Sequence, residues 1–530
     1  MNVAVIVVAL AIGARLDYVP IWDGFEYAAA IQRAATESFD VANLRLAGHA
    51  SHAYALLLVA AQSIAPDAYW PILLVNAVLL VVAAVGFHRL ATLALPDEDH
   101  ATDRALLTAA FALQPAVLAA VVQPGLDLPL VPGFLWATVF VIERRWVPAA
   151  ATGLAIVFSK ESGALLYAAL VASFILRDPP AALGFDGRRA EAFRRLAILC
   201  VPGIVFALYL GYRLYAARSE PVVWSAGTAM INQPLWRQLL VPRIDRYVAS
   251  YVAIMLVLNF AWIMSLVVAA GGVVTFRRAV ARRGVLREVP RWLANVPGFV
   301  VLLAAMTGFI LTRFASFANA RYLIAFVGLL LVMFGVALVA LPLPKVLRRG
   351  ILAAFAVLVA VSISRTIDPV SRALWGTFPV GRHDMLRMTS ITHECCGAGR
   401  DQLAYSLEFT TLAALTDDAL ATMRVGDSTL VVIPDSTSWR TIPPLDPATS
   451  RRTADVSAGV VPLVAEVDSA VLYAAQRPAA TYVALPNGSP ARGLELLAPA
   501  FAIGPERRVA RGGYVLSVYR LDARAAKASP

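Results

Sequence analysis

Cysteine is almost absent, with three residues in a chain of 530, and that excludes a disulfide scaffold. Cys200 stands in an apolar run as a small core residue. Cys395 and Cys396 are adjacent in a polar C-terminal region, where two free or separately paired thiols satisfy disulfide geometry better than a strained vicinal bridge. Charge is scarce as well: 15% charged residues against 59% hydrophobic, at a mean hydropathy of +0.69, cannot cover a water-soluble surface. Lysine is scarcer still. Only Lys160, Lys345 and Lys527 occur among 46 basic residues, an arginine bias expected of a GC-rich bacterial genome, which makes a lysine in an unusual place worth notice. The chain also lacks a phosphate-binding Gly-rich loop, a dinucleotide fingerprint, a His-Glu-x-x-His zinc helix and an internal repeat. Those absences remove ATP-driven transport and several enzyme classes.

What the sequence does have is long apolar runs between arginine-rich breaks, the pattern of a polytopic α-helical membrane protein. Eleven spans are expected, near residues 2–16, 69–90, 105–122, 128–142, 146–159, 163–176, 196–214, 248–275, 292–312, 321–342 and 350–364. The first of these is short. Val3 to Ala14 falls below the roughly 17–25 residues of a span and lacks a basic lead, so it reads either as a signal peptide cleaved after Gly13 or Ala14 or, as we expect, as an uncleaved span extended by its flanks. Ala53 to Ile64 is apolar but too short to cross and precedes a Pro-Asp break. It is expected to lie at the membrane surface.

Charge sets the orientation. Residues 1–364 hold 29 Lys and Arg against 19 Asp and Glu, whereas residues 365–530 hold 17 against 16, so the basic excess belongs to the membrane region and leaves no basic domain for nucleic acid. The clusters at Glu143-Arg144-Arg145, Arg177 to Arg195, Arg277 to Arg291 and Lys345 to Arg349 fall on alternate connections. By the positive-inside bias these face the cytoplasm. The other side of the plasma membrane then receives the outer loops 17–68 and 215–247, the turns near Gln123–Asp127, Ser159–Ser162 and Thr312–Ala320, and everything after residue 364. Residues 365–530 have ordinary charge density and β-like runs at Thr429–Ile433, Tyr482–Leu485 and Val515–Tyr519, with a helical pattern at Glu408–Met423. A small extracytoplasmic mixed α/β domain is expected there, beside a transmembrane domain of residues 1–364.

The residues capable of chemistry gather on that outer side. Asp23 and Glu26, in Pro20-Ile-Trp-Asp23-Gly-Phe-Glu26-Tyr27, share a helix face. They form either a capping box or a functional acid pair in which partial burial would suit a general base. His49 and His52 are spaced to meet one metal, but no third ligand is near, and bonds to backbone or lipid are the simpler reading. Asp127, in Gln123-Pro-Gly-Leu-Asp127-Leu-Pro129, is either an N-cap or a catalytic acid. Lys160 and Arg321 each put a cation at a helix N-terminus on the side that positive-inside bias depletes, and those two penalties call for an anion. Either Glu161 pairs locally with Lys160, or a bound phosphate answers both.

Taken in order, these features resemble the GT-C membrane glycosyltransferases. They are an acid after the first span, Gly48-His49-Ala-Ser-His52-Ala-Tyr54 leading into a surface helix, a Leu-Asp127-Leu-Pro turn, Lys160-Glu161 at the next outer turn, and Arg321-Tyr322-Leu opening a late span. The bacterial branch related to protein O-mannosyltransferases and lipid A aminoarabinose transferases is the most similar, over residues 1 to about 345. The resemblance implies a GT-C-like fold with surface helices in the first outer loop, a polyprenyl-phosphate sugar donor, and a glycan, lipid or protein acceptor outside the cytoplasm. It also implies Asp23 as the catalytic acid of the first loop, Lys160 and Arg321 as donor-phosphate contacts, and Glu26, Tyr27, His49, His52, Asp127, Glu161 and Tyr322 as substrate-binding residues around them. This sequence departs from the family in Asp-Gly-Phe-Glu for a tight acidic pair and His49-Ala-Ser for a Pro-rich stretch, so a divalent metal cofactor is left open. The readings from other classes are a lipid-linked sugar or polysaccharide transporter, in which the charges would line a path, and a non-catalytic glycolipid-binding protein of the cell envelope.

Overall fold

The computed structural model describes residues 23–36, 46, 49–66, 68–177, 189–216, 246–283, 292, 295–314, 320–363, 367–380, 383–386, 430–433, 463–467, 479–484, 490–511 and 514–524, with isolated positions at 403, 411, 414, 415, 418, 419, 421 and 470. The expected span 2–16, the loop 217–245 and the cysteines 395 and 396 lie outside the described residues.

A helix stands at each of the ten other expected spans. Asp23–Thr36 (α1) and His52–Gln62 (α2) come first, then Trp70–Ala94 (α3), Ala101–Ala112 (α4), Pro115–Val122 (α5), Leu130–Ile142 (α6), Trp146–Val157 (α7), Glu161–Arg177 (α8) and Arg189–Ala216 (α9). After the loop come Arg246–Val257 (α10), Ala261–Arg283 (α11), Val296–Phe314 (α12), Ile324–Ala340 (α13) and Lys345–Ser362 (α14). The architecture is the polytopic helical one expected, joined to a small mixed sheet. Among the described residues, Trp70–Ala94, Ala190–Arg213 and Val252–Arg278 are long and apolar enough to cross a membrane by themselves, and Glu98–Ala112 with Pro115–Val122 makes a fourth as a pair bent by 50°. Several others, such as Leu130–Ile142 and Trp146–Val157, are apolar but shorter.

Two spans expected to be continuous are broken, for local reasons. Residues 105–122 divide at Gln114-Pro115, where proline lacks the N–H that would continue the helix and instead opens a new one from its first position. Residues 248–275 divide at a 3-10 turn, Leu258–Phe260, in which Asn259 has φ 53° and Phe260 φ 64°. Asparagine tolerates that left-handed conformation; the bulky Phe260 adopts it at a cost that packing must offset. Gly271 of α11 lies beside Ala337 of α13, where an added Cβ would stand 2.6 Å from the alanine Cβ, so these two small residues let the helices approach closely.

The helix α2 is short: its eleven residues rise about 16 Å, half the hydrocarbon thickness. Tyr54, Ala55, Leu58, Val59 and Gln62 are buried, while Leu56 and Leu57 are exposed. It packs against α1 on one side and α3 on the other.

At the end of the bundle bearing the arginine clusters, α14 is clasped to the start of α4. Asp103, 1% exposed, accepts from Arg348 Nε at 3.0 Å and lies 3.0 Å from His100 Nδ1, with Arg349 Nε 3.6 Å away. Lys345 Nζ donates to Asp99 at 2.7 Å and holds that carboxyl below its usual range. Arg89 and Glu143 bridge α3 to the end of α6 at the same level.

Beyond α14 the chain enters Pro369–Trp375 (α15), then a hairpin of Thr377–Val380 (β1) and His383–Leu386 (β2). A five-stranded sheet follows, made of Leu430–Ile433 (β3), Leu463–Glu466 (β4), Ala479–Val483 (β5), Phe501–Arg511 (β6) and Tyr514–Ala523 (β7), in the order β4-β3-β5-β7-β6. The first three strands are parallel and β7 is antiparallel to β5 and β6, so the sheet is mixed. Val432, Tyr482, Phe501 and Leu521 form its core, with Ala491–Leu497 (α16) beside it. The three expected β runs fall on β3, β5 and β7, although β5 ends at Val483, and Thr429 and Leu485 lie outside the described residues. The described positions within 408–423, from Thr411 to Ala421, are helical.

Asp368 ties this region to the bundle. It is 3% exposed, and its Oδ1 accepts from Val370 N and Ser371 N at 3.1 Å and from Trp262 Nε1 of α11 at 3.0 Å. One carboxylate therefore caps α15 and anchors it. Asp368→Ala is expected to destabilise the protein by about 1–3 kcal/mol through loss of cap and anchor together, and Asp368→Asn, which keeps the acceptor oxygen, to recover most of it. Thermal unfolding in detergent checks this; an Ala variant melting with the wild type would remove the anchoring role.

Candidate functional site

The site is built where the chain breaks at the end of the bundle opposite the arginine clusters. The turn between α5 and α6, residues 123–129, carries Asp127. Helix C-termini leave carbonyls unsatisfied, and in an apolar bundle those must find donors inside the protein. Asn76, buried within the apolar α3, donates its Nδ2 to Val121 O at 2.9 Å and to Gln123 O at 2.8 Å. Its Oδ1 accepts from the Tyr54 hydroxyl of α2 at 2.6 Å, and Tyr69 OH donates to Val122 O at 3.1 Å. Burial pushes the Tyr54 phenol well above its usual range, so it stays a donor at any working pH. Three polar side chains thus hold the start of the Asp127 turn.

Asp127 is 4% exposed and does not cap α6, whose N-cap position is Pro129 with no side-chain bond. It faces two cations instead. Lys160 Nζ donates to its Oδ1 at 2.6 Å, and Arg321 Nε lies 3.6 Å from its Oδ2. Lys160 ends the tight turn between α7 and α8. There Ser159 Oγ donates to Ala155 O at 2.7 Å and Gly163 N to Lys160 O at 2.9 Å. Gly163 is required at that place, since a Cβ would meet the carbonyl of Ile156. Arg321 stands in the 3-10 turn Ala320–Leu323 that leads into α13. The two cations singled out by position therefore converge, at side-chain exposures of 12% and 20%, around a carboxylate of 6%.

Glu161 does not pair with its neighbour Lys160. Its Oε2 lies 2.9 Å from His49 Nδ1 and its Oε1 accepts from Ala50 N at 2.8 Å. Ala53 N also donates to Phe158 O at 2.9 Å, so the start of α2 is docked on the α7–α8 turn. His49 and His52 share no ligand position. The His52 ring meets Phe158 and Tyr209 edge-on, with centroids 6.2 and 5.4 Å apart. Among the described residues no three His, Cys, Asp or Glu side chains come together, so no metal centre is assigned.

Of the other expected residues, Tyr27 is buried in the main core on α1, 5% exposed. Asp23 begins α1 and Glu26 lies in its first turn, while Tyr322 follows Arg321; the side chains of these three lie outside the described residues. Asn76, Tyr54 and Tyr69 were missed. An asparagine inside a 25-residue apolar helix was the available signal, because a polar group at that depth needs a partner. Asn76→Leu, similar in size but without donors, is expected to cost about 2–4 kcal/mol by stranding two carbonyls and a phenol, and Tyr54→Phe about 1 kcal/mol. Unfolding midpoints in detergent measure both, and an unchanged Asn76→Leu would refute the tie.

No known protein family matches the chain, and no curated protein matches it. Its fold is shared with two solved structures. ArnT from Cupriavidus metallidurans bound to undecaprenyl phosphate superposes with a TM-score of 0.54 at 15% identity, over 100% of this chain and 99% of that one. ArnT from the same organism in the apo state gives 0.50 at 15% identity, over 97% of each chain. At this identity the likeness establishes the fold alone, a polytopic helical architecture that continues through the C-terminal sheet.

Proposed function

We propose that the protein is a membrane glycosyltransferase that moves a sugar from a polyprenyl-phosphate donor to an acceptor hydroxyl outside the cytoplasm, with inversion at the sugar carbon. The observation that carries the reading is the meeting of Lys160 and Arg321 at Asp127. Two cations from helix starts far apart in sequence reach one point at one end of the bundle, in a fold shared with a protein solved with undecaprenyl phosphate. A lipid phosphate offers the charge that both would grip, with Asp127 fixing their positions.

The chemistry asks little of the protein. The acceptor oxygen attacks the sugar carbon, the bond from that carbon to the phosphate oxygen breaks, and the electron pair leaves with the lipid phosphate. The hydroxyl proton passes to a base, for which we propose Asp23 at the start of α1. Lys160 and Arg321 stabilise the charge that grows on the departing phosphate. A single displacement of this kind inverts the sugar carbon. The same reading places the site, the loops 17–68 and 215–247 and residues 365–530 outside the bacterial plasma membrane, across eleven spans.

Three outcomes are expected. Lys160→Gln and Arg321→Gln each weaken binding of a polyprenyl-phosphate sugar by roughly 1.5–3 kcal/mol, the scale of a charge-assisted hydrogen bond, and Lys160→Arg does not fully rescue. Direct titration decides, and unchanged affinities in folded variants would move the transporter reading ahead. Asp23→Asn, which keeps the shape and loses the basicity, lowers turnover by about two or more orders of magnitude at normal yield, as radiolabelled sugar transfer would register. A C-terminal alkaline phosphatase fusion is active, whereas a fluorescent, phosphatase-negative fusion would reverse the orientation.

A further inference from the structure

Glu161 and His49 form a contact that the proposed phosphate grip does not use. The Ala50 N–H fixes one oxygen of the carboxylate at 2.8 Å, and the other oxygen lies 2.9 Å from His49 Nδ1. An ionised carboxylate only accepts, so Nδ1 carries the proton. In the neutral ring that leaves a bare lone pair on Nε2; in the imidazolium Nε2 carries an N–H. The pair is not sealed in, since the two side chains keep 25% and 23% of their exposure.

Among the described residues, the charged groups around it are few. Lys160 precedes Glu161 at the same helix start and is directed to Asp127, as is Arg321 from the turn before α13. His52, on the first turn of α2, turns to Phe158 and Tyr209. Lys160 and Glu161 are consecutive, so the residue that holds the ring and the residue proposed to hold the phosphate leave adjacent backbone positions at the start of α8.

We propose that His49 is a further contact of the donor phosphate and works only as the imidazolium, so that each phosphodiester bound brings one proton onto Nε2. This rests on the phosphate reading above. A lone pair on Nε2 would face the phosphate oxygens with like charge, whereas an N–H donates to them. Lys160 and Arg321 supply permanent charge to the site and His49 a conditional one. Binding that requires a protonated ring weakens as pH rises.

The test uses the full chain in detergent and the monomethyl ester of a polyprenyl phosphate, a phosphodiester whose single charge does not change across about pH 5.5–8.5, the range in which an imidazole titrates. Calorimetry in buffers of different ionisation enthalpy reads affinity and proton uptake together. Wild type is expected to take up close to one proton per ligand on the alkaline side, its dissociation constant rising by about tenfold per pH unit there. His49→Gln should bind at a weak level that does not vary with pH. Glu161→Gln, whose amide can donate to Nδ1 and leave a neutral ring protonated at Nε2, should show a flattened response, which a purely structural pair would not produce. A wild-type affinity independent of pH, or the same slope and proton uptake in His49→Gln, overturns the proposal and leaves the phosphate site standing. Failure of folded wild type to bind the ester at any pH overturns the phosphate site and the proposal with it.

Discussion

A carboxylate removed from water among apolar helices costs several kcal/mol unless charge of the opposite sign comes to it, and Asp127 is so placed. Much of the site-bearing end of the bundle follows from that requirement. Lys160 must end its turn within reach, which needs α7 and α8 to approach so closely that only glycine fits at position 163. Arg321 must arrive from the turn before α13. Removing Asp127 would leave two part-buried cations without their carboxylate, whereas removing either cation leaves Asp127 paired with the other, so the arrangement is held chiefly by the penalty on losing the carboxylate.

The turns that carry these residues face a second constraint of the same origin. An apolar surround supplies no water to backbone groups released at a helix end, so each break needs its own donors and acceptors. Asn76 serves the break after α5 and connects it to Tyr54 on the surface helix. Glu161 accepts from the Ala50 N–H just before α2 and links it to the α7–α8 turn. The surface helix is therefore tied, through Asn76 to one and directly to another, to two of the three turns that meet at Asp127.

The opposite end is organised by similar means toward a structural purpose. Asp103, His100 and Arg348 fasten α14 to α4, and past the far end of α14 Asp368 caps α15 while accepting from Trp262. The last helix of the bundle is thus fixed near both ends, and the mixed sheet starts from a defined place.

Hydropathy alone determined that this is a polytopic helical chain, because the cost of exposing or burying apolar surface is a sum over residues that needs no knowledge of contacts. Local pattern likewise located three strands of the five-stranded sheet, β3, β5 and β7, and marked Lys160 and Arg321 as out of place. Local pattern was less able to say what each does. Asp127 reads as a cap beside Pro129 and Lys160 as a partner for Glu161, since both alternatives are adjacent in sequence; a Gly163 contact and a turn held by Asn76 turn those side chains elsewhere. The breaks at Gln114 and Asn259 were likewise absorbed into continuous apolar runs, since hydropathy does not register a missing N–H or a reversed φ. Electrostatic pairing depends on distance through space, and within a bundle that distance is set by which helices pack together, so only the tertiary structure joined residues 127, 160 and 321 into one site and put His49 on Glu161.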